Sequence, residues 1–191
     1  MLTHHSLAEF INRTFPIDPK VYDSLLEKCH TLEFKKGEYL LYKGQICDTV
    51  YFIVEGLARS FYKTLDNEKE VTSWFIPEGE FACSINSFVH ESPTFEFIQL
   101  EEDTIVIAIH KKDLNTICLQ FSIVCMLTRH VTEKYLCLFD ERIRSFQLTP
   151  WERYNRFLLQ YPTLKARVKL SHLSSYLGIG RSTLCRLRNN K

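Results

Sequence analysis

The stretch LSHLSSYLGIGRSTLCRLRN, Leu170 to Asn189, reads as two short helices joined by a tight turn. Leu173 and Leu177 lie four apart and share one helical face. Gly178 follows where the chain must reverse, and glycine takes the left-handed backbone of a helix C-cap at no steric cost. Ile179 plugs the corner. Leu184 and Leu187, three apart, give the second helix an inward face. Its outward face is expected to carry Arg181, Ser182, Thr183, Arg186 and Arg188, residues that reach base edges and phosphates.

The spacing Leu173, Ser174, Leu177, Gly178, Ile179, Leu184, Leu187 resembles the helix-turn-helix of bacterial transcription regulators. Ser174 stands where that motif usually has alanine, and it is small enough to fit. The other reading is an ordinary helical hairpin with a basic solvent face. Charge separates the two. From Gln147 to Lys191 nine Lys/Arg face one acid, Glu152, whereas the rest of the chain holds 15 Lys/Arg and 22 Asp/Glu. A formal net charge of +1 therefore hides an acidic body and a basic tail, and the tail suits a polyanion. With duplex DNA as partner, Arg181 fits bidentate contact to guanine, Arg186 a base or a phosphate, and Arg188 and Lys169 phosphates. Two-fold symmetry would make the site near-palindromic.

Length and composition set bounds. The 191 residues allow one medium domain and a small one, and 45% hydrophobic content is that of a globular protein with a core. No apolar run approaches the ~20 residues of a membrane span, so no membrane partner is expected. The N-terminus lacks a signal-peptide pattern. Seven cysteines are scattered, none in a CxxC pair, which points to reduced thiols in the cytoplasm. No zinc or iron–sulfur ligand set is visible, and no metal is expected.

Along the chain, Ser6 to Asn12 predicts a short helix. Asp18-Pro19 predicts the capped start of another that runs to about Cys29. The period then changes from 3.6 to 2. Leu32-Phe34, Tyr39-Tyr42, Val50-Val54, Leu57-Lys63, Val71-Ile76, Phe95-Leu100 and Thr104-Ile109 read as short strands. Glycine turns and an Asp66-Asn67 turn separate them, as in a sandwich or barrel. Helical period returns with Asp113 to Gln120 and with a long helix from Phe121 to about Ser145.

The run GEYLLYKGQICDTVYFIVEGLARSFYK, Gly37 to Lys63, resembles the core of cyclic-nucleotide-binding domains. These have a glycine-glutamate opening, a glycine turn, an aromatic-rich strand (here Tyr51 to Val54), then a glycine and a basic strand. Gly37, Gly44, Gly56 and Gly79 stand at the turns of that jelly roll. The same domain followed by a long helix and a helix-turn-helix is similar to the Crp/Fnr regulators over nearly the whole chain. The resemblance implies an α+β fold. An N-terminal antiparallel jelly-roll sensor occupies 1–120, a dimerisation helix 121–146 and a small helix-turn-helix domain 147–191.

Members that respond to cyclic AMP hold the ribose with a Gly-Glu pair and the phosphate with an Arg-Ser/Thr pair. Aligned from Gly79-Glu80-Phe81, the first pair falls on Cys83-Ser84 and the second near Thr94-Phe95. Between Cys83 and Phe97 there is no Arg or Lys, so an anionic phosphate would meet no cation. The usual cyclic-nucleotide mode is therefore not expected, and no cofactor is assigned. Trp74, Cys83, Ser84, Thr94 and Phe95 either line a pocket for an unidentified small-molecule effector or simply fill the barrel. A jelly-roll metalloenzyme would need a close His-x-His with further ligands, and no such spacing exists, so catalysis is not expected.

In the long helix, Val124, Leu127, Val131 and Leu138 form one apolar stripe and Met126, Tyr135, Phe139 and Ile143 another. One can pack on the barrel and the other on a second copy; the first set is the one assigned to the dimer interface. Leu148-Thr149-Pro150-Trp151-Glu152 carries a capping box with proline at the first helical position. The whole reads as a homodimeric DNA-binding regulator, for which the resemblance implies RNA polymerase contact. The competing reading is a ligand-binding or protein-interaction module with a vestigial helix-turn-helix. Thiol-based sensing through Cys83, Cys125 or Cys137 is compatible with the first.

Overall fold

A computed structural model describes residues 2–66 and 68–189; Asn67, in the expected Asp66-Asn67 turn, lies outside them. The chain forms two compact units, residues 1–62 with 74–131, and residues 63–73 with 132–191. The boundary thus falls inside the long helix.

The first unit opens with α1 (Leu2–Thr14) and α2 (Pro19–Leu26). Asp18 caps α2, its side chain accepting from the Lys20 amide at 2.8 Å, with Pro19 in the first turn. Strands β1 (Cys29–Phe34), β2 (Tyr39–Leu41), β3 (Thr49–Glu55), β4 (Ala58–Lys63), β5 (Glu70–Ile76) and β6 (Phe81–Ala82) follow, then a short α3 (Ile85–His90). β7 (Phe97–Leu100), β8 (Thr104–His110) and α4 (Lys111–Gln120) complete the order before the long α5 (Ser122–Ser145). The strands form two four-stranded sheets, ordered β1-β8-β3-β6 and β2-β7-β4-β5, the jelly-roll layout.

Two turn details show why the sequence permits this. The β3–β4 turn brings Gly56 so close to the start of β8 that a Cβ there would lie 2.4 Å from Thr104 Oγ1 and 2.6 Å from the Asp103 carbonyl. Its φ of 103° is also a value L side chains avoid. Phe61 and Phe97 pair across β4 and β7 and stack with centroids 5.1 Å apart, while Ile98 and Leu100 of β7 are buried on the opposite face of that sheet. On the β1-β8-β3 side, Leu7, Ile11, Leu25, Phe52, Ile107, Ile117, Val124 and Leu127 make one continuous core. Four helices and two strands contribute to it.

The second unit joins the tip of the β4–β5 hairpin to α6 (Pro150–Gln160), α7 (Leu164–Arg167), α8 (Leu170–Leu177), α9 (Arg181–Asn189) and the later part of α5. The capping box forms as expected. Thr149 Oγ1 accepts from the Glu152 amide, and the Glu152 carboxylate accepts from the Thr149 amide at 2.8 Å. Tyr154, Phe157, Tyr161, Leu164, Leu173, Tyr176, Leu177 and Leu184 are its buried apolar centre. The Thr72 amide donates to Ser175 Oγ at 3.0 Å, and that hydroxyl donates to the Glu70 carbonyl.

Element boundaries differ from the sequence expectation in local ways. β1 begins at Cys29 rather than Leu32, because all six of its residues pair with β8. β7 begins at Phe97, since Thr94 and Phe95 belong to a loop instead. β6, α3 and α7 are too short to carry a period. Among the described residues no helix is long and apolar enough to cross a membrane.

Candidate nucleic-acid interface and sensor site

The turn between α8 and α9 has the geometry its glycine implies. Gly178 is the left-handed C-cap of α8 at φ 64°, ψ 37°, and Ile179 and Gly180 lead into α9. Arg153 on α6 clasps this corner, donating from one guanidinium nitrogen to the carbonyls of Leu177 at 2.7 Å and Gly178 at 3.2 Å. Counted as one more tail cation in the sequence, Arg153 is thus a structural residue of the turn. Ser174, the departure from alanine, is buried and donates to the Ser171 carbonyl at 3.0 Å, which satisfies its hydroxyl inside the packed corner.

Leu184 anchors α9 and is fully buried, with Leu187 partly buried beside it. At about 100° per residue the arc opposite Leu184 holds Ser182, Arg186 and Asn189, with Cys185 at its edge; Arg181, also exposed, opens the helix about 60° from Leu184. Thr183 and Arg188 instead lie on the flanks and are half-buried. Arg188 is near enough to Tyr154 of α6 to pull the phenol's pKa down, against burial that raises it more. The outward set read from the sequence is corrected accordingly: Cys185 and Asn189 enter it, and Thr183 and Arg188 move to its edges. The correction arises because the inward face centres on Leu184: Arg188 falls about 40° from it, beside Tyr154 of α6, and Thr183 about 100° away on the other side. Lys169 is exposed at the N-cap of α8.

On α5, the stripe assigned to a second copy is already partly covered. Val124 and Leu127 are buried in the chain's own core, and Val131 and Leu138 are half-buried. The exposed side is a different row: Cys125, Arg129, Thr132, Leu136, Phe139 and Ile143. These alternate in steps of four and three, the heptad spacing of a two-stranded seam. Leu136 and Ile143 are 64% and 68% exposed. The two stripes were separable in the sequence, but the choice between them depends on where α1 and α4 pack.

In the first unit the expected pocket residues separate. Cys83, Ser84 and Thr94 come together: Ser84 Oγ and Thr94 Oγ1 are 2.9 Å apart, and both residues are buried. Trp74 is buried in β5, whereas Phe95 is 54% exposed, with Tyr62 edge-on at 6.1 Å. Glu96 joins the polar group, its amide donating to Thr94 Oγ1 at 3.0 Å and its carboxyl bonding to Ser84 and Ser60. Burial raises the Glu96 pKa, and those hydrogen bonds only partly counter it. The sequence contained the signal for Glu96, an acid alternating with strand residues in a segment without cations. Arg59 of β4 is 1% exposed and donates to Glu101 at 2.9 Å while lying 4.0 Å over the Phe61 ring. A cluster of hydroxyls around a carboxyl is the opposite of a phosphate cradle.

Residues 31–121 match the sequence profile of the cyclic nucleotide-binding domain. No curated protein matches the chain in sequence. Solved structures match it in fold. FixK2 from Bradyrhizobium japonicum superposes with a TM-score of 0.73 at 18% identity, over 84% of this chain and 82% of its own. A CooA variant from Carboxydothermus hydrogenoformans gives 0.68 at 20% identity, over 87% and 77%. A transcriptional regulator assigned to the crp/fnr family from Eubacterium rectale gives 0.67 at 15% identity, over 90% and 82%.

Proposed function

We propose that this chain, which has the fold of the Crp/Fnr transcription regulators and a cyclic-nucleotide-binding-type sensor domain, is a cytoplasmic, homodimeric, DNA-binding regulator. Its sensor does not take cyclic nucleotides in the usual way. The observation that carries the reading is the exposed arc of α9. Arg181, Ser182 and Arg186 stand on a rigid helix anchored by Leu184, and no acid lies on α9. Arg181 opens the helix and enters the major groove first, where bidentate contact to guanine discriminates by roughly 1–3 kcal/mol. Lys169 and Arg188 flank the arc and suit phosphates. The exposed heptad row of α5 supports pairing with a second copy, because a step of four and three is what a parallel helix partner requires. A dimer presents two α9 helices to a near-palindromic site. The hydroxyl-and-carboxyl cluster around Ser84, Thr94 and Glu96 argues against an anionic effector there. Contact with RNA polymerase follows from the same reading.

The test is selection of bound duplexes from a randomised library by the full chain, beside Arg181→Ala and Lys169→Ala. Arg181→Ala should relax base preference at one symmetric pair of positions. Lys169→Ala should weaken all sequences alike and lower the salt slope by about one. Uniform loss in both variants, with no enriched sequence for the parent, would overturn base reading and favour a vestigial motif.

A further inference from the structure

Two thiols far apart in sequence meet at the sensor cluster. Cys47, on the loop between β2 and β3, has its sulfur 3.7 Å from that of Cys83, which follows β6. The contact is organised from several sides. The Cys47 amide donates to Ser87 Oγ at 2.9 Å, fixing the loop on α3. The Ser84 amide donates to the Cys47 sulfur at 3.4 Å. Cys47, though buried, borders an open recess of about 470 Å³ with Leu40, Gln45, Ile46, Asp48 and Tyr51, while Cys83 is half-buried.

We propose that Cys47 and Cys83 are a reversible dithiol–disulfide centre oxidised by a small hydroperoxide. Cys47 is the attacking sulfur and Cys83 the resolving one. Hydrogen bonding between the two thiols, helped by the Ser84 amide, lowers the Cys47 pKa, which favours its thiolate. The same bond and burial push the Cys83 thiol up, so it keeps its proton. In the first step the Cys47 thiolate attacks the outer peroxide oxygen, and the O–O bond breaks. Cys47 becomes a sulfenic acid and the departing alkoxide or hydroxide takes a proton. In the second, the Cys83 sulfur attacks that of Cys47. The S–S bond forms, the S–O bond breaks, and the expelled hydroxide leaves as water with the Cys83 proton. The two thiols lose two electrons and two protons; the peroxide is reduced to alcohol or water plus water. The sulfurs must close from 3.7 Å to about 2.05 Å. Closure ties the β2–β3 loop to the residue beside Ser84. The proposal places the centre in the sensor of the regulator proposed above, but its chemistry is read without DNA.

The test treats the reduced full chain with one equivalent of hydrogen peroxide, then blocks free thiols and maps peptides. The expected product is a Cys47–Cys83 linked peptide, lost again on addition of dithiothreitol. Cys83→Ser should stop at a dimedone-reactive sulfenic acid on Cys47, and Cys47→Ser should lower the rate of peroxide-dependent thiol loss at least about tenfold. Linkage or oxidation at Cys118, Cys125, Cys137 or Cys185 with Cys47 and Cys83 still reduced would overturn it. So would a Cys47→Ser chain that reacts as fast as the parent. The unsubstituted chain gives the linkage result even if a serine variant fails to fold.

Discussion

Arg142 lays its guanidinium 3.8 Å over the ring of Tyr176 and donates to the carbonyl of the same residue at 3.0 Å. Its second acceptor is the Thr72 carbonyl at 3.2 Å, so one planar group joins α5, α8 and the β4–β5 hairpin tip within the helical unit. Arg142→Ala should lower stability by about 2 kcal/mol, from one stacked contact and two charge-assisted hydrogen bonds. Arg142→Lys should recover little of it, because an ammonium cannot stack and fork at once. Urea unfolding of the three proteins measures this.

The proposed dimer seam gives a contrast between neighbouring positions on α5. Leu136→Asp with Ile143→Asp should leave a folded monomer, since both side chains are exposed in the single chain. Val124→Asp should unfold the first unit instead, because it buries an unpaired charge in the core. Sedimentation with circular dichroism distinguishes these outcomes. A dimer that survives the first double substitution would place the interface elsewhere.

Glu101→Ala leaves the Arg59 guanidinium buried without its carboxylate. The expected loss is about 3–5 kcal/mol, the range for breaking one half of a buried pair. Removing both partners, as Arg59→Met with Glu101→Leu, should cost much less. A thermal melt of the single and double variants decides.

Gly56 and Gly44 share positive φ values of 103° and 90°, but only Gly56 has backbone and side-chain atoms where a Cβ would go. Gly44→Ala should cost about 1 kcal/mol for the left-handed backbone alone. Gly56→Ala should cost clearly more, as the β3–β4 turn must move off Thr104. Equal losses in denaturant unfolding would mean that the close approach is not maintained in solution.

Glu96 predicts a pH dependence. Its folded pKa lies above the ordinary 4.5, so the folded chain holds this proton where the unfolded chain has lost it. Its contribution is fully present below about 4.5 and falls as pH rises from there through the folded value. Glu96→Gln should therefore gain stability relative to the parent as pH climbs through that window, and the difference should vanish below it. Unfolding free energies measured across pH 4 to 8 test the sign.

Much of this architecture was legible because the punctuation is strong. Asp18-Pro19, Thr149-Pro150 with Glu152, and Leu177-Gly178 each state a local backbone requirement, and each is met. Alternation and turn glycines pointed to a sandwich or barrel, and the family resemblance narrowed this to a jelly roll. Choices between faces were less legible. Which stripe of α5 stays exposed depends on α1 and α4. Which residues of α9 face outward depends on how deeply Leu184 sits against α6. Cys47 and Cys83 meet only once β6 pairs with β3, and no spacing rule links positions so far apart. Arg153 read as one more tail cation until the corner it clasps was in place.

The helical unit takes in residues 63–73 while residues 74 to 131 loop out between them and the rest of it. That connectivity orders events along the growing chain. The hairpin tip is synthesised long before Ser175, the residue whose hydroxyl accepts from the Thr72 amide and donates to the Glu70 carbonyl. Until α8 emerges, water must serve those backbone groups. Contacts between α6, α8 and α9 are near in sequence and form early, whereas capture of the hairpin closes a loop as large as the rest of the sensor. Such closure carries an entropy cost that grows with loop length and slows the step. A nascent chain that stops short of Ser175 therefore leaves the Thr72 amide and the Glu70 carbonyl without this partner.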